Sequence, residues 1–452
     1  MQKSTKRVVL ILIAVLVLSA VAGVSVLFLG VQRAPKIELP PASVKAYQKL
    51  LAELRRSESV AGSETQDPAR FAPFPPDSRD IIAGYARLFD RVEPKVESFE
   101  KDNKDILYKV PIEWTPDKRS KLTEFLSANQ DLINEIKRMA RRGGPIYPLD
   151  FSRGVAVQLP HLAPLRSCAR LLRLDAILSG IEGNYSGAVE DIIAGMQLGD
   201  ALAQEPILMS QLLRMTTYGI MSDAVQNSFN GADLSPEVTS RLLTHLVQAA
   251  HREALAEAFA GELYSTFVTF RHLRRASRFG LFTVVEAPVY RDIMTRLIVA
   301  AKLPYYQAAP ALARLEQRAG RLPEISFPST KDLLPAFVPV CTYQARHEAM
   351  LDLIQLGILV EQYKARTGSY PATLDAIAPE LGGTLPVDPF TGERYHYRLS
   401  DDGFILYSVG QNCKDDGGKH DLLNGDMVWG GERQPRTARP TPGIPVVPPP
   451  TR

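Results

Sequence analysis

Pro386-Val387-Asp388-Pro389-Phe390-Thr391-Gly392-Glu393-Arg394-Tyr395-His396-Tyr397 is the stretch on which the fold turns. Pro389 fixes φ and Gly392 opens the left-handed region, so Asp388–Gly392 is turn chemistry and ends any helix before it. Downstream, Phe404-Ile405-Leu406-Tyr407-Ser408-Val409-Gly410 is a mostly apolar run of strand length. Upstream, Ala349, Met350, Leu353, Leu356, Leu359, Val360 and Tyr363 recur at helical spacing. That spacing predicts one long helix from about Tyr343 to Thr367, stopped at Gly368 and followed by a Tyr370-Pro371 turn. The loop from Gln411 to Met427 carries Asn412, Asp415, Asp416, Asp421 and Asp426.

These signatures come in a fixed order: long helix, Gly-x-Tyr-Pro turn, Asp-Pro-Phe turn leading into Tyr-x-Tyr, a strand ending Tyr-Ser-Val-Gly, and an acidic glycine-bearing loop. In that order, residues 341–430 resemble the globular domain of the major pseudopilin family of bacterial type II secretion. The resemblance implies a pilin-like α+β module, one long helix packed on a small antiparallel sheet. It also implies a calcium loop, with Asn412, Asp416, Asp421 and Asp426 at the corresponding positions. Calcium takes six to eight oxygens from carboxylates and carbonyls on a flexible loop. The alternative is an ordinary polar loop whose Asp side chains cap turns. Three departures stand out. Thr391 lengthens the second turn, Asn412 stands where the family has Asp, and Cys413 where it has Gly. A pseudopilin also joins its hydrophobic segment directly to the module helix. Here Asp352, Gln355 and Glu361 interrupt that helix too often for a membrane span, so the module is expected to be grafted rather than polymerised as a filament subunit.

The hydrophobic segment lies at the other end of the chain. Lys3, Lys6 and Arg7 precede an uncharged run from Val8 to Val31. About 20 helical residues cross a bilayer core, and the basic flank keeps the N-terminus in the cytoplasm. The expected partner of residues 8–31 is therefore the lipid bilayer of the bacterial cytoplasmic (inner) membrane, with the bulk of the chain extracytoplasmic. A cleaved signal peptide ending near Ala20-Val21-Ala22 is the competing reading, and it exports the body equally. Three scattered cysteines, Cys168, Cys341 and Cys413, make no disulfide framework.

The 34 prolines then divide the chain. Seven fall in 34–76, a semi-rigid stalk, and seven in 432–452, a Pro/Arg tail of disordered composition. Between them, 77–330 reads as an all-α body, followed by the module at 341–431. Thr115 is the expected N-cap of a helix with Pro116 at its first position. Ile106–Trp114 reads as a short extended segment, because Pro111 interrupts helix there. Leu165–Ile181, Ser186–Ala203, Ile207–Phe229 and Pro236–Arg275 read as further helices. Gly183-Asn184-Tyr185 breaks the first pair, a hairpin similar to half a tetratricopeptide repeat without the 34-residue period of an array. The fold class is thus one transmembrane helix, a helical body and a C-terminal α+β module.

With 53 basic against 50 acidic residues and a mean hydropathy of −0.08, the chain has neither the basic footprint of a nucleic-acid binder nor the apolarity of a polytopic membrane protein. The body shows no HExxH, GxSxG, Walker or GxGxxG motif. The expectation is a non-enzymatic, membrane-anchored interaction or structural protein with an envelope protein partner, in secretion or pilus-like machinery. The alternative is an exported hydrolase using a cleft of the body. Carboxylates such as Glu190 and Asp191 are available to it, but as helix neighbours they point in different directions.

Overall fold

The structure is a computed structural model that describes residues 78–104, 106, 114–229, 236–248, 252–276, 280–322, 328–400, 403–421 and 424–429. The expected anchor (8–31), stalk (34–76) and tail (432–452) lie outside these residues. No described helix is long and apolar enough to cross a membrane.

The described chain is a helical body with a small antiparallel sheet near its C-terminus. Its helices are α1 (Arg79–Asp102), α2 (Pro116–Ala128), α3 (Gln130–Arg142), α4 (Leu162–Ile181), α5 (Tyr185–Ala201), α6 (Leu208–Ser228), α7 (Pro236–Gln248), α8 (Arg252–Ala276), α9 (Gly280–Ala301), α10 (Tyr305–Gly320) and α11 (Pro328–Thr367). Local chemistry sets several boundaries. The Thr115 hydroxyl accepts the Lys118 amide at the start of α2, with Pro116 in the first turn. Gly183 takes φ +84° between α4 and α5, and the Asn184 side chain accepts the Gly187 amide as the cap of α5. Gly368, also at φ +84°, stops α11 and donates its amide to the Lys364 carbonyl at 2.8 Å.

Three sequence expectations are corrected. Ile106 is helical, and 107–113 lie outside the described residues. The single helix expected over Pro236–Arg275 is two, α7 and α8, which pack on different neighbours: α7 against α5 and α11, α8 against α9 and α6. The module helix starts at Pro328, well before Tyr343, and runs 40 residues through Pro335 and Pro339.

That length gives α11 three jobs. Phe337, Val338, Val340 and Cys341 join a core formed with α8, α9 and α10. Leu351, Ile354 and Ile358 join the core of α1–α7. Ala345, Ala349, Leu353, Leu356, Leu359 and Val360 join Leu374, Phe390, Tyr395, Leu406 and Met427 in the C-terminal core. At 1.5 Å per residue, such a helix is about 60 Å long, enough to cross all three.

The sheet order is β1 (His396–Ser400), β2 (Gly403–Ser408), β3 (Met427–Val428), antiparallel throughout. His396 pairs Tyr407, and Tyr407 pairs Val428. The Asp388 carboxylate accepts the Phe390 amide at 2.9 Å and the Val409 amide at 3.1 Å, tying the Asp-Pro-Phe turn to the end of β2.

Candidate functional site

The four sequence-predicted residues fall in one loop closing 410–429. Asn412 Nδ2 donates to Asp416 Oδ2 at 2.9 Å and to the Asn424 carbonyl at 2.7 Å, while Oδ1 accepts the Lys414 amide at 3.0 Å. Asp426 is fully buried; its two oxygens accept the Gly418 amide at 2.7 Å and the Asp416 amide at 3.4 Å. Burial pushes its carboxyl up, against the pull of those two amides. Asp421 Oδ1 accepts the Asn424 amide at 3.2 Å, within its own turn. Asp415 takes a separate role, accepting the Tyr407 hydroxyl at 2.8 Å and the Gly417 amide at 2.9 Å. As folded, the loop is closed by hydrogen bonds, and the Asn412 amide turns its N–H₂ toward Asp416 and the Asn424 carbonyl. Among the described residues no three His, Cys, Asp or Glu side chains converge so as to hold a metal ion.

Buried polar groups collect elsewhere, on the seam between α11 and the body. Arg252 on α8 grips Glu348 on α11 with two hydrogen bonds of 2.9 Å, and Gln344 adds a third at 3.1 Å. One turn on, Asp352 accepts the Tyr395 hydroxyl at 2.7 Å. Burial lifts the Asp352 carboxyl to about 7, against that hydrogen bond. On the body side, Asp200 accepts the Tyr218 hydroxyl at 2.5 Å and meets His245 Nε2 at 3.1 Å. Burial alone would raise this carboxyl; the contacts with His245 and Tyr218 hold it below its ordinary value. The Tyr218 ring meets the His347 ring edge-on at 4.9 Å. These carboxylates are engaged with internal donors: Glu348 fastens α11 to α8, Asp352 fastens it to Tyr395 before β1, and Asp200 ties α5 to α6 and α7.

Two further clusters were not foreseen from sequence. Lys137 on α3 lies 2.6 Å from Asp191 on α5 and 3.7 Å from Asp175 on α4, all three buried. One lysine cannot neutralise two carboxylates in a dry site, and burial lifts Asp191 to about 8. Glu190, its helix neighbour, faces solvent opposite Arg241, as the helical geometry requires. Buried His161, Glu205 and Ser210 also meet: Glu205 Oε2 is 3.0 Å from His161 Nε2 and accepts the Ser210 hydroxyl at 2.5 Å. Both partners sit on one carboxylate oxygen, so the histidine is not placed to take the serine proton. An open cleft of about 470 Å³ lies between α1 and α3 and is lined by Arg91, Asp131, Asn134, Glu135, Arg138 and Arg141, with Arg91 paired to Glu135.

Comparison with protein-family models, curated proteins and solved structures finds no match. Sequence reasoning found the acidic loop through its spacing. It missed the seam, although Asp352 within an apolar helix was its visible trace: a polar residue placed there needs a buried partner.

Proposed function

We propose that this chain is a membrane-anchored, extracytoplasmic interaction protein whose helical body presents a pseudopilin-like C-terminal module to a protein partner of the bacterial envelope. The order of the C-terminal elements supports the reading: a long helix, a Tyr-Pro turn, an Asp-Pro-Phe turn, a hairpin and an acidic loop that returns to the sheet. The observation that carries it is α11. Alternate faces of one helix serve the body core, through Leu351, Ile354 and Ile358, and the module core, through Leu353, Leu356 and Leu359. A module mounted in this way is held at a fixed angle, which suits docking.

Leu399 on β1 and Val387 in the Asp-Pro-Phe turn are half-exposed on the module, while Val155 is exposed on the body. A photo-crosslinker placed at each of the three positions in native envelope membranes tests the proposal. Adducts to an envelope protein from residues 387 and 399, and none from 155, are expected. Equal labelling from all three, or adducts only to cytoplasmic proteins, argues against it. Protease added outside spheroplasts should digest the body while leaving cytoplasmic markers intact; protection of the body would end the membrane assignment.

A further inference from the structure

The three hydrogen bonds of Asn412 admit only one orientation of its amide. Lys414 N–H is a donor and faces Oδ1, whereas Asp416 Oδ2 and the Asn424 carbonyl are acceptors and face Nδ2. Turning the amide over would set oxygen against two oxygens and N–H₂ against N–H. The nitrogen thus bridges two limbs of the loop twelve residues apart in sequence. Bringing oxygens from distant limbs together is what a bound cation does in such loops. Here the remaining candidates are committed as well: Asp426 accepts the Gly418 and Asp416 amides, and Asp421 accepts the Asn424 amide.

We propose that Asn412 replaces the cation: its side-chain amide is the internal cross-link that holds residues 412–426 closed, and the loop is independent of calcium. The inference takes from the pseudopilin-like reading only the identity of the ion that is replaced. The bridge itself rests on the hydrogen bonds. An aspartate at 412 would place a carboxylate against Asp416 and the Asn424 carbonyl with no donor between them. Closure would then require a cation, so one atom, nitrogen for oxygen, sets the metal dependence of the loop.

The test is the melting temperature of the full-length chain in chelator and in millimolar Ca²⁺, for wild type, Asn412→Asp and Asn412→Ala. Wild type is expected to melt at one temperature in both. Asn412→Asp should melt roughly 2 °C or more lower in chelator and recover with Ca²⁺, because an ion bound only by the folded state stabilises it. Asn412→Ala should melt low in both. Hydrogen exchange of the 412–426 amides in wild type, with and without Ca²⁺, gives an answer even if a variant does not fold. Equal protection supports the proposal. A wild-type melting temperature that rises with Ca²⁺, slower exchange on adding Ca²⁺, or Asn412→Asp melting like wild type in chelator would overturn it. The crosslinking result is independent of all these outcomes, so failure of the latch and failure of the docking function are told apart.

Discussion

Asp191 carries its charge at a cost. Its carboxyl is lifted to about 8 from an ordinary value of 3.8, so the folded state binds that proton more tightly than the unfolded chain does. The stability this lends is complete below the unfolded value and is lost as pH rises through about 8. Asp352, lifted to about 7, acts in the same direction. The melting temperature of the wild-type chain is therefore expected to fall between about pH 4 and pH 8. Asp191→Asn keeps a hydrogen-bonding side chain and removes the second charge beside Lys137, and it should flatten the upper part of that fall. A variant curve parallel to wild type would show that the lysine neutralises both carboxylates. Cys413 is a second local strain: it is the one described non-glycine residue with positive φ, at 52°. A left-handed residue with a Cβ costs about 1–2 kcal/mol, and glycine gives back roughly 0.5–1 kcal/mol through its freer unfolded state. Cys413→Gly should therefore raise stability by a few tenths to about 1 kcal/mol, read by chemical denaturation; a decrease would show that the thiol contacts matter more than the backbone.

Among the elements, α11 departs most from expectation, and the departure has a physical cause. Its periodicity was legible only where one face is apolar, from Ala349 to Tyr363. Toward its N-terminus Pro335 and Pro339 argue against a helix on local grounds, yet burial of Phe337, Val338 and Val340 in the second core outweighs the lost backbone hydrogen bonds. Glycine enters the same helix for space. A Cβ on Gly357 would stand 2.4 Å from Trp429 Cε2, so the indole lies directly on the helix backbone, and the Trp429 amide meanwhile donates to the Leu406 carbonyl at 2.8 Å. Gly357→Ala improves helix propensity by about 1 kcal/mol but forces the ring away, an overpacking cost of about 1–3 kcal/mol. The expected result is a lower melting temperature with red-shifted tryptophan emission, readable because the chain has only two tryptophans. A variant more stable than wild type would mean that the ring is not seated there.

At the scale of the whole molecule, the C-terminal module is not a separable bead. Leu351, Ile354 and Ile358 leave the module side of α11 and are buried in the body, each contributing about 1.5–3 kcal/mol. A fragment of residues 341–430 should therefore expose an apolar stripe, bind a hydrophobic dye and associate. Polar substitution of those three residues should make the fragment monomeric and, in the full chain, lower stability sharply. A monomeric, dye-free wild-type fragment would show that the module folds without the body.

What the sequence determined by itself was local: the helix start at Thr115, the break at Gly183-Asn184-Tyr185, the stop at Gly368, the Asp-Pro-Phe turn, the strand after it and the gathering of acidic residues in one loop. Each depends on residues within a few positions of one another, where backbone sterics and capping hydrogen bonds decide. Tertiary structure alone decided which face of α11 serves which core, that Lys137 meets Asp175 and Asp191, that Glu348 is gripped by Arg252, and which way the Asn412 amide turns. Those choices follow from desolvation: a buried polar atom must find a partner wherever the chain brings one, and sequence spacing carries no record of a partner supplied by a different helix.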